Sequence, residues 1–457
     1  MTAATGHAPP AIGISVAAVI AVLVGVSITT IDISLTSTAL PAIAARIGAS
    51  AASTIWVVNA YYIAVVAALL PLAALGEIHG HRRIFLAGLT VYALGTAACG
   101  FSHSLPALMM ARAVLGLGSA AVSATTPALI RAIFPPQRLG RGLGIYALVV
   151  GLAFTAGPTV TSAILSIADW PWLFLMGAPL AILAGFLAMR SLPDTLANPR
   201  RFDAGSALLC AATFALLLLG IAGIGRIGTP WVCMALAIGI GCGFALRERE
   251  AGQRAPILAI DLFRIPLFSL SAITSMCAFT IQGLAFVALP FLFHTVMGYS
   301  QVEAGLLLTA WPAALAVMTL IAAALADRIP PGLLGGLGLT LIAGSLASIA
   351  LLPANAGAVA IIIRLALCGI GFGFFQSPNM LALMSSAPAD RSGGASGILA
   401  TSRLFGQSLG AASVAICLTF LPTNGLSVAI WLGAATAFFG SAVSFSRLLP
   451  HVRTRGQ

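Results

Sequence analysis

Asp32 is an acidic residue inside a long apolar run that begins near Ala11. Thr29 lies three residues before it and Thr36 four residues after it, so a helix would present all three polar side chains on one face. A charge at the centre of a bilayer costs about 2.5 kcal/mol or more, and embedded ionisable groups therefore tend to mark ion and proton pathways. We interpret Asp32 as a proton carrier. The alternative is a carboxylate that a neighbouring arginine holds only to fix helix packing.

Arg112 is the expected partner of Asp32, because it is the other ionisable residue embedded in the first half of the chain. Burial and a nearby guanidinium act in opposite senses on the proton affinity of a carboxyl group. Substrate binding or helix movement can shift this balance, so the pair is suited to exchanging a proton for a substrate.

Other kinds of chemistry find no matching motif in the sequence. The chain has no lysine, so it lacks the G-x-x-x-x-G-K-[ST] loop of ATPases, and it has no H-E-x-x-H pair of metal ligands. We therefore expect no enzyme, no metal site and no cofactor. The energy for any transport would come from an ion gradient, for which protons are the expected coupling ion, or from the substrate itself.

Polar residues within the other apolar runs are candidates for lining a substrate cavity. They are Trp56, Asn59, Tyr62, Gln282, His294 and Gln376. A few such groups in an otherwise apolar cavity suit amphipathic drugs. His294 is also a candidate second proton site, because imidazole titrates near neutral pH. Its alternative role, as a hydrogen-bonded structural residue at a helix end, is the more common one.

Two segments are candidates for controlling conformational change. In "ALGEIHGHRRIF" the residues concerned are Glu77, Gly80, Arg82 and Arg83. An acid and two arginines in a tight turn can latch to neighbouring helix ends and release on rocking, or the arginines serve topology alone. In "GLAFTAGPTV", Gly151, Gly157 and Pro158 predict a closely packed helix that can kink, or an ordinary contact through small residues.

The elements that must position these residues are membrane helices. The 457-residue chain is 60% hydrophobic and 7% charged. Apolar runs of about 18 residues or more recur along it, each long enough to cross the bilayer as a helix, and the alternation of a barrel is absent. We predict an all-α polytopic membrane protein of fourteen helices. They lie near 14–38, 55–75, 84–102, 106–131, 142–166, 172–190, 206–224, 230–246, 267–294, 303–326, 333–352, 356–382, 397–421 and 426–446.

The arginines predict the orientation of these helices. Seventeen of the 22 lie in the C-terminal tail or in loops that follow even-numbered helices, which we call the arginine-rich face. The opposite, arginine-poor face has only Arg46 and Arg226. Arginine-rich loops stay in the cytoplasm, so both termini are predicted to be cytoplasmic. The net charge of +11 then reflects topology, and we expect no nucleic-acid partner.

An internal repeat relates the fourth and twelfth predicted helices. Each has an embedded arginine (Arg112, Arg364), two glycines spaced G-x-G and a later proline. Parallel halves of six helices are a transporter architecture with the binding site between them. We predict an N-terminal bundle at 1–190, a linker with two extra helices at 191–262, and a C-terminal bundle with a tail at 263–457. The alternative is chance, since Gly and Pro are common in membrane helices.

Two segments near the N-terminus resemble transporter motifs. Residues 73–82, "AALGEIHGHR", resemble the loop pattern G-x-L-a-D-r-x-G-r-R, with alanine in place of the leading glycine and Glu77 in place of aspartate. Asp32 followed by the Ala-Leu-Pro of residues 39–41 resembles the end of a first helix.

Further segments make the resemblance specific. Residues 112–116 resemble the pattern R-x-x-Q-G, with leucine in place of glutamine, and Gly151, Gly157 and Pro158 resemble the fifth-helix pattern of exchangers. "WVVNAYYIAVV", "WPWLFLMGAPLAIL" and "SGILATSRLFGQSLGAA" add to the likeness. The chain resembles the major facilitator superfamily, specifically its fourteen-helix drug:proton antiporter branch.

The resemblance implies two parallel six-helix bundles with two inserted helices, in the bacterial inner membrane. It implies export of amphipathic, cationic drugs or biocides in exchange for protons, by a monomer embedded in the lipid bilayer. Asp32 would carry the proton, Arg112 would be its electrostatic partner, and the helix with Gly157 and Pro158 would seal the halves. Alternatives are an exporter of a single metabolite or antibiotic, a transport-inactive sensor of the same fold, and an importer.

Overall fold

A computed structural model describes residues 15–195, 202–251, 256–326, 328–388 and 391–449. Within these ranges fourteen helices are long and apolar enough to span a membrane, and no residue is in a β-strand. The helices are α1 (Val16–Ile47), α2 (Ala51–His79), α3 (His81–Gly100), α4 (Leu105–Ile133), α5 (Leu139–Leu165), α6 (Pro171–Ser191), α7 (Ala204–Ala222), α8 (Thr229–Glu250), α9 (Pro266–Val296), α10 (Gln301–Ala326), α11 (Pro331–Ala350), α12 (Ala358–Ser386), α13 (Gly393–Phe420) and α14 (Gly425–Ser446).

The predicted number of helices is confirmed, but the predicted end of the first helix is wrong. The Ala-Leu-Pro of residues 39–41 lies inside α1, because a proline removes only one backbone hydrogen bond and membrane helices tolerate it. The helix ends instead at Gly48, whose φ of 71° is left-handed and whose N–H donates to the Ala44 carbonyl. Asp32 therefore lies at the middle of a 32-residue helix rather than near its end.

The two halves of the chain repeat the same packing scheme. In α1–α6, α1 packs on α5 and α6, while α4 packs on α2 and α3; in α9–α14, each of these pairings recurs eight helices later. The predicted two-bundle fold is thus confirmed. The predicted domain boundaries stay a prediction. Parts of the predicted domains, namely residues 1–14, 196–201, 252–255 and the tail beyond Leu449, lie outside the described residues.

The glycines of the repeat explain why α4 and α12 occupy equivalent positions. A Cβ at Gly116 would lie 2.7 Å from the Tyr61 carbonyl oxygen of α2, and one at Gly118 would lie 2.4 Å from the Tyr92 nitrogen of α3. In the second half, a Cβ at Gly369 would lie 2.1 Å from the Trp311 carbonyl oxygen of α10, and Gly371 is equally close to α11. Only glycine lets these backbones approach so closely.

The inserted pair, α7 and α8, lies against the seam between the bundles. The two helices pack on each other, and α7 also packs on α2 of the first bundle and α13 of the second. The rings of Phe214 in α7 and Phe405 in α13 lie 6.0 Å apart. At the arginine-poor face, Arg226 donates to the Ala52 carbonyl and the Ser53 hydroxyl of α2. A cleft of about 390 Å³ lies beside this contact.

Candidate functional site

Asp32 and Arg112 form a buried ion pair between α1 and α4. Nη1 of Arg112 donates to Oδ2 of Asp32 at 2.6 Å, and the two side chains are 1% and 5% exposed, respectively. The predicted pairing of these two residues is confirmed. Their role in proton coupling is a separate question and stays a prediction.

Arg112 is held by more than the carboxylate. Its Nε donates to the Val57 carbonyl at 3.2 Å. Its guanidinium carbon lies 4.4 Å from the centre of the Tyr61 ring and 5.6 Å from that of Phe174. A guanidinium stacks well on aromatic faces. Two helices besides α1, namely α2 and α6, therefore fix the orientation of Arg112, and α1 supplies the acid.

The second carboxylate oxygen of Asp32 accepts no hydrogen bond from the described residues. Thr29, which the sequence placed on the same face, instead donates to the Val26 carbonyl at 2.9 Å. The hydroxyl of Thr36 is buried and has no hydrogen-bond partner in the described part of the chain. The acid is thus paired on one side and free on the other, so a proton can be added without first displacing a second donor.

Protonation of Asp32 would change the contact between α1 and α4. A guanidinium keeps its charge at all physiological pH values, so a neutral Asp32 leaves Arg112 as a buried, uncompensated cation. That state is costly unless the helices rearrange or another anion approaches. The charge of Asp32 therefore affects how α1 and α4 pack against each other.

The predicted cavity residues do not form one cluster. Asn59 and Tyr62 are both buried in α2, and Asn59 has no partner for either amide atom among the described residues. Gln282 of α9 accepts a hydrogen bond from Nε2 of Gln407 in α13 at 2.8 Å, so it joins helices within the second bundle. Trp56 is partly exposed near the start of α2. Roles in substrate binding stay predictions.

The two remaining cavity candidates belong to the second bundle. His294 lies in the π-helical last turn of α9, where its Nδ1 is 2.9 Å from the Tyr299 carbonyl oxygen. This contact supports the structural alternative for that histidine. Gln376 lies in α12 and is partly exposed.

The predicted latch turn is anchored by one arginine. Arg82 donates to Asp194 at 2.5 Å and to the Met189 carbonyl, also at 2.5 Å, which ties α3 to the end of α6. Glu77 and Arg83 are exposed and have no ion-pair partner among the described residues, so a latch through them is not formed here. Gly80 adopts a left-handed φ of 92°, which a side chain would strain. The contacts of Arg82 lie within the first bundle, and a role in gating stays a prediction.

The predicted close packing of α5 is correct at one glycine and wrong at another. A Cβ at Gly157 would lie 2.5 Å from the Ser34 side chain of α1, whereas one at Gly151 would meet no atom within 4 Å. Pro158 lies inside the helix, and its carbonyl oxygen faces Gly305 of α10. The prediction for Gly151 is wrong because a sequence does not show which of its glycines a neighbouring helix approaches.

Contacts that the sequence did not predict join α5 to α10. Ser162 donates to the Val302 carbonyl at 2.9 Å, and Thr155 donates to the Pro312 carbonyl at 3.1 Å. The hydroxyls of Thr159 and Thr309 lie 2.9 Å apart. All lie in the halves of α5 and α10 that are nearer the arginine-poor face. The bundles are therefore joined at that face, through hydroxyl groups.

Arg403 and Gln407 of α13 are further residues to which the sequence reasoning gave no role. The available signal was an arginine inside the thirteenth predicted helix, six residues after its predicted start.

These features define a polytopic helical protein with two repeated bundles and an ion pair at the centre of the first, which is the architecture of a membrane transporter. The family model of the Major Facilitator Superfamily matches residues 22–411. The chain belongs to the Major Facilitator Superfamily, whose members are transporters and not enzymes.

Relatives and solved structures agree with this assignment. The chain is 46% identical over 435 residues to the Uncharacterized transporter YebQ of Escherichia coli (strain K12), covering 94% of this chain and 95% of that protein. It is 30% identical over 406 residues to the Tetracenomycin C resistance and export protein of Streptomyces glaucescens, covering 87% and 74%. The structure of a D-xylose-proton symporter is similar, with a TM-score of 0.70 at 12% identity over 96% of this chain and 99% of that one. This last likeness concerns the fold alone.

Proposed function

We propose that this protein is a proton-coupled antiporter that exports amphipathic small molecules by alternating access. It would act in the bacterial cytoplasmic membrane with both termini in the cytoplasm. The observation that carries the proposal is the buried pair of Asp32 and Arg112, with the carboxylate at the middle of α1. An acid so placed is costly and is best explained by a part in ion movement.

In the proposed cycle, a proton from the arginine-poor side neutralises Asp32 and releases Arg112. The uncompensated guanidinium then favours a new arrangement of α1 and α4, in which the carboxyl group loses its proton to the cytoplasm. Opening at the arginine-poor face requires that the hydroxyl contacts between α5 and α10 separate. Since these contacts are few and neutral, each costs about 1 kcal/mol to break, which suits a seam that opens in every cycle.

The substrate class is proposed from two sources. The Tetracenomycin C resistance and export protein, a relative over most of this chain, is named for the export of an antibiotic. The resemblance to drug exporters implies cationic substrates, and this finer expectation stays a prediction. A second candidate function is export of a single metabolite or antibiotic, which the same relative favours.

The test is efflux from a bacterium that lacks its own drug pumps. Cells would be loaded with a fluorescent cation such as ethidium, a neutral dye such as Nile red, or an anion such as fluorescein, and efflux followed with and without an uncoupler. We expect uncoupler-sensitive efflux of at least one dye by the wild type and its loss in Asp32→Asn. Asp169→Asn is the matched control, because that acid is 64% exposed at the surface.

Membrane insertion of every variant would be checked by its yield after purification. Full efflux by Asp32→Asn would refute coupling through that residue. If inserted wild-type protein moves none of the dyes, the broad-specificity form of the proposal fails in favour of a single dedicated substrate or a transport-inactive protein.

A further inference from the structure

Arg403 is a cation in the interior of α13 for which the described residues provide no hydrogen bond and no ion pair. It lies ten residues after the first residue of a 28-residue membrane helix, and its side chain is partly exposed. An arginine inside a membrane helix costs free energy. Such residues usually pair with an oppositely charged residue or line a cavity. Arg403 has no counter-charge among the described residues, so its surroundings indicate which group its guanidinium binds.

The position of Arg403 on its helix directs it to the space between α2 and α9. Gly406 packs against the Met276 carbonyl of α9, and Gly397 packs against Leu70 of α2. At about 100° per residue, Arg403 lies about 60° from Gly406 and about 120° from Gly397, between the two contacts. Phe405 contacts α7 on the opposite side. Arg403 therefore faces inward, toward the seam between the bundles.

The groups near Arg403 are aromatic or neutral. Its helix, α13, packs on α2, which carries Tyr61 and Tyr62. Gln407 follows one turn later on the same face, and its Oε1 is buried without a partner in the described part of the chain. Asn59, three residues before Tyr62 and so on a neighbouring part of α2, also has an unpartnered amide. This corner offers hydrogen-bonding groups and ring surfaces, but no carboxylate.

The ion pair in the first bundle does not supply the missing negative charge. Asp32 is already bonded to Arg112 at 2.6 Å, so the two charges largely cancel. What remains at the seam is the positive charge of Arg403. A cationic substrate would be repelled there, whereas an anion would satisfy a guanidinium that binds carboxylates through a rigid pair of donors.

We propose that Arg403 is the anion-binding residue of the substrate cavity. The exported compound is then an aromatic amphiphile that carries a carboxylate, enolate or phenolate group, with its rings against Tyr61 and Tyr62. This inference rests on the proposed export function, because it assigns a substrate to the seam that alternating access would open. It reverses the cationic substrate that the resemblance implies.

The test compares two xanthene dyes of similar shape and opposite charge. Near neutral pH fluorescein is an anion, whereas tetramethylrhodamine ethyl ester is a cation. Binding of each to purified full-length protein in phosphatidylcholine nanodiscs would be measured by fluorescence anisotropy, with empty nanodiscs as the blank. The variants are Arg403→Gln, Arg403→Lys and, as a control, Arg264→Gln, which removes an equal charge from an exposed position in the same half of the chain.

We expect the wild type to bind fluorescein more tightly than the cation. Arg403→Gln should weaken fluorescein binding about tenfold or more, the size of effect expected on losing a charged hydrogen bond. Arg403→Lys should keep part of the affinity, and Arg264→Gln should keep all of it. Tighter binding of the cation, absence of saturable fluorescein binding to folded wild type, or equal losses in Arg403→Gln and Arg264→Gln would each overturn the proposal.

Two further arms separate the sources of failure. If phosphatidylglycerol in the nanodiscs abolishes dye binding, the anion at Arg403 is a lipid headgroup and the substrate assignment is wrong. The second arm compares dye binding by the wild type with its uncoupler-sensitive efflux of the same two dyes. Fluorescein binding that depends on Arg403, without any proton-driven efflux, would refute the proposed function but support the anion site. Efflux of cations without fluorescein binding would support the proposed function but refute the anion site.

Discussion

Removing one member of the pair of Asp32 and Arg112 should destabilise the protein strongly. The two side chains are 2.6 Å apart and are 5% and 1% exposed, so either one alone is a buried charge. Breaking a buried pair from one side costs about 3–5 kcal/mol. A carboxylate can take up a proton when its partner is lost, whereas a guanidinium cannot release one. We therefore expect Asp32→Asn to cost more than Arg112→Met.

The double variant isolates the interaction itself. With both charges removed, the loss of unfolding free energy should be smaller than the sum of the two single losses by about 2 kcal/mol or more. The matched control is the pair of Arg46 and Asp169, whose side chains are 3.0 Å apart but 68% and 64% exposed. Exposed pairs couple by about 0–1 kcal/mol. Both cycles would be measured by equilibrium unfolding in mixed micelles with increasing sodium dodecyl sulfate.

Two results would contradict this reasoning. Coupling energies of equal size at the buried and exposed pairs would mean that burial does not determine the cost. A larger loss in Arg112→Met than in Asp32→Asn would mean that proton uptake by Asp32 does not relieve the unpaired state. A double variant that is stable but does not transport would separate the contribution of the pair to folding from its part in coupling.

Three further predictions concern packing and movement. Gly118→Leu should abolish folded protein, because a Cβ there already lies 2.4 Å from α3, whereas Gly151→Leu should be tolerated; the yield of monodisperse protein checks both. Arg82→Gln should increase hydrogen exchange at residues 189–195, since the contacts to the end of α6 are lost, and unchanged exchange would contradict the latch. Cysteines at Thr159 and Thr309, whose hydroxyls are 2.9 Å apart, should form a disulfide that stops efflux until a reductant is added, and efflux that continues with the bond intact would show that this seam need not open.

Some features could be predicted because they depend on composition along the chain. Each helix is a long apolar run, so the number of helices follows from the sequence alone. The pair of Asp32 and Arg112 could be predicted because these are the two ionisable residues embedded in the first half of the chain, and their charges are opposite. The end of α1 could not be predicted, because Pro41 resembles a stop signal, whereas the helix continues to Ile47 and is capped by Gly48.

Other features depend on which helices pack against each other, and these contacts could not be predicted from the sequence. The bond between Gln282 and Gln407 joins residues 125 positions apart, and neither residue shows in sequence which neighbour it faces. Arg364 illustrates how a small difference matters. It precedes its first repeat glycine by five residues, whereas Arg112 precedes its own by four. One extra residue rotates the side chain by about 100°. Among the described residues, Arg364 accordingly donates only to the Ala360 carbonyl of its own helix.

The loop between α7 and α8 makes the two sides of the seam mechanically unequal. Arg226 in this loop donates hydrogen bonds to the start of α2, and Gly225 beside it packs against the Phe420 ring at the end of α13. One short loop therefore contacts both bundles. Across the molecule, three hydroxyl contacts join α5 and α10 at the same face. When the bundles separate, α2 and α13 should stay in contact and act as the hinge, while α5 and α10 move apart. A departing substrate would leave through the gap on the α5 and α10 side.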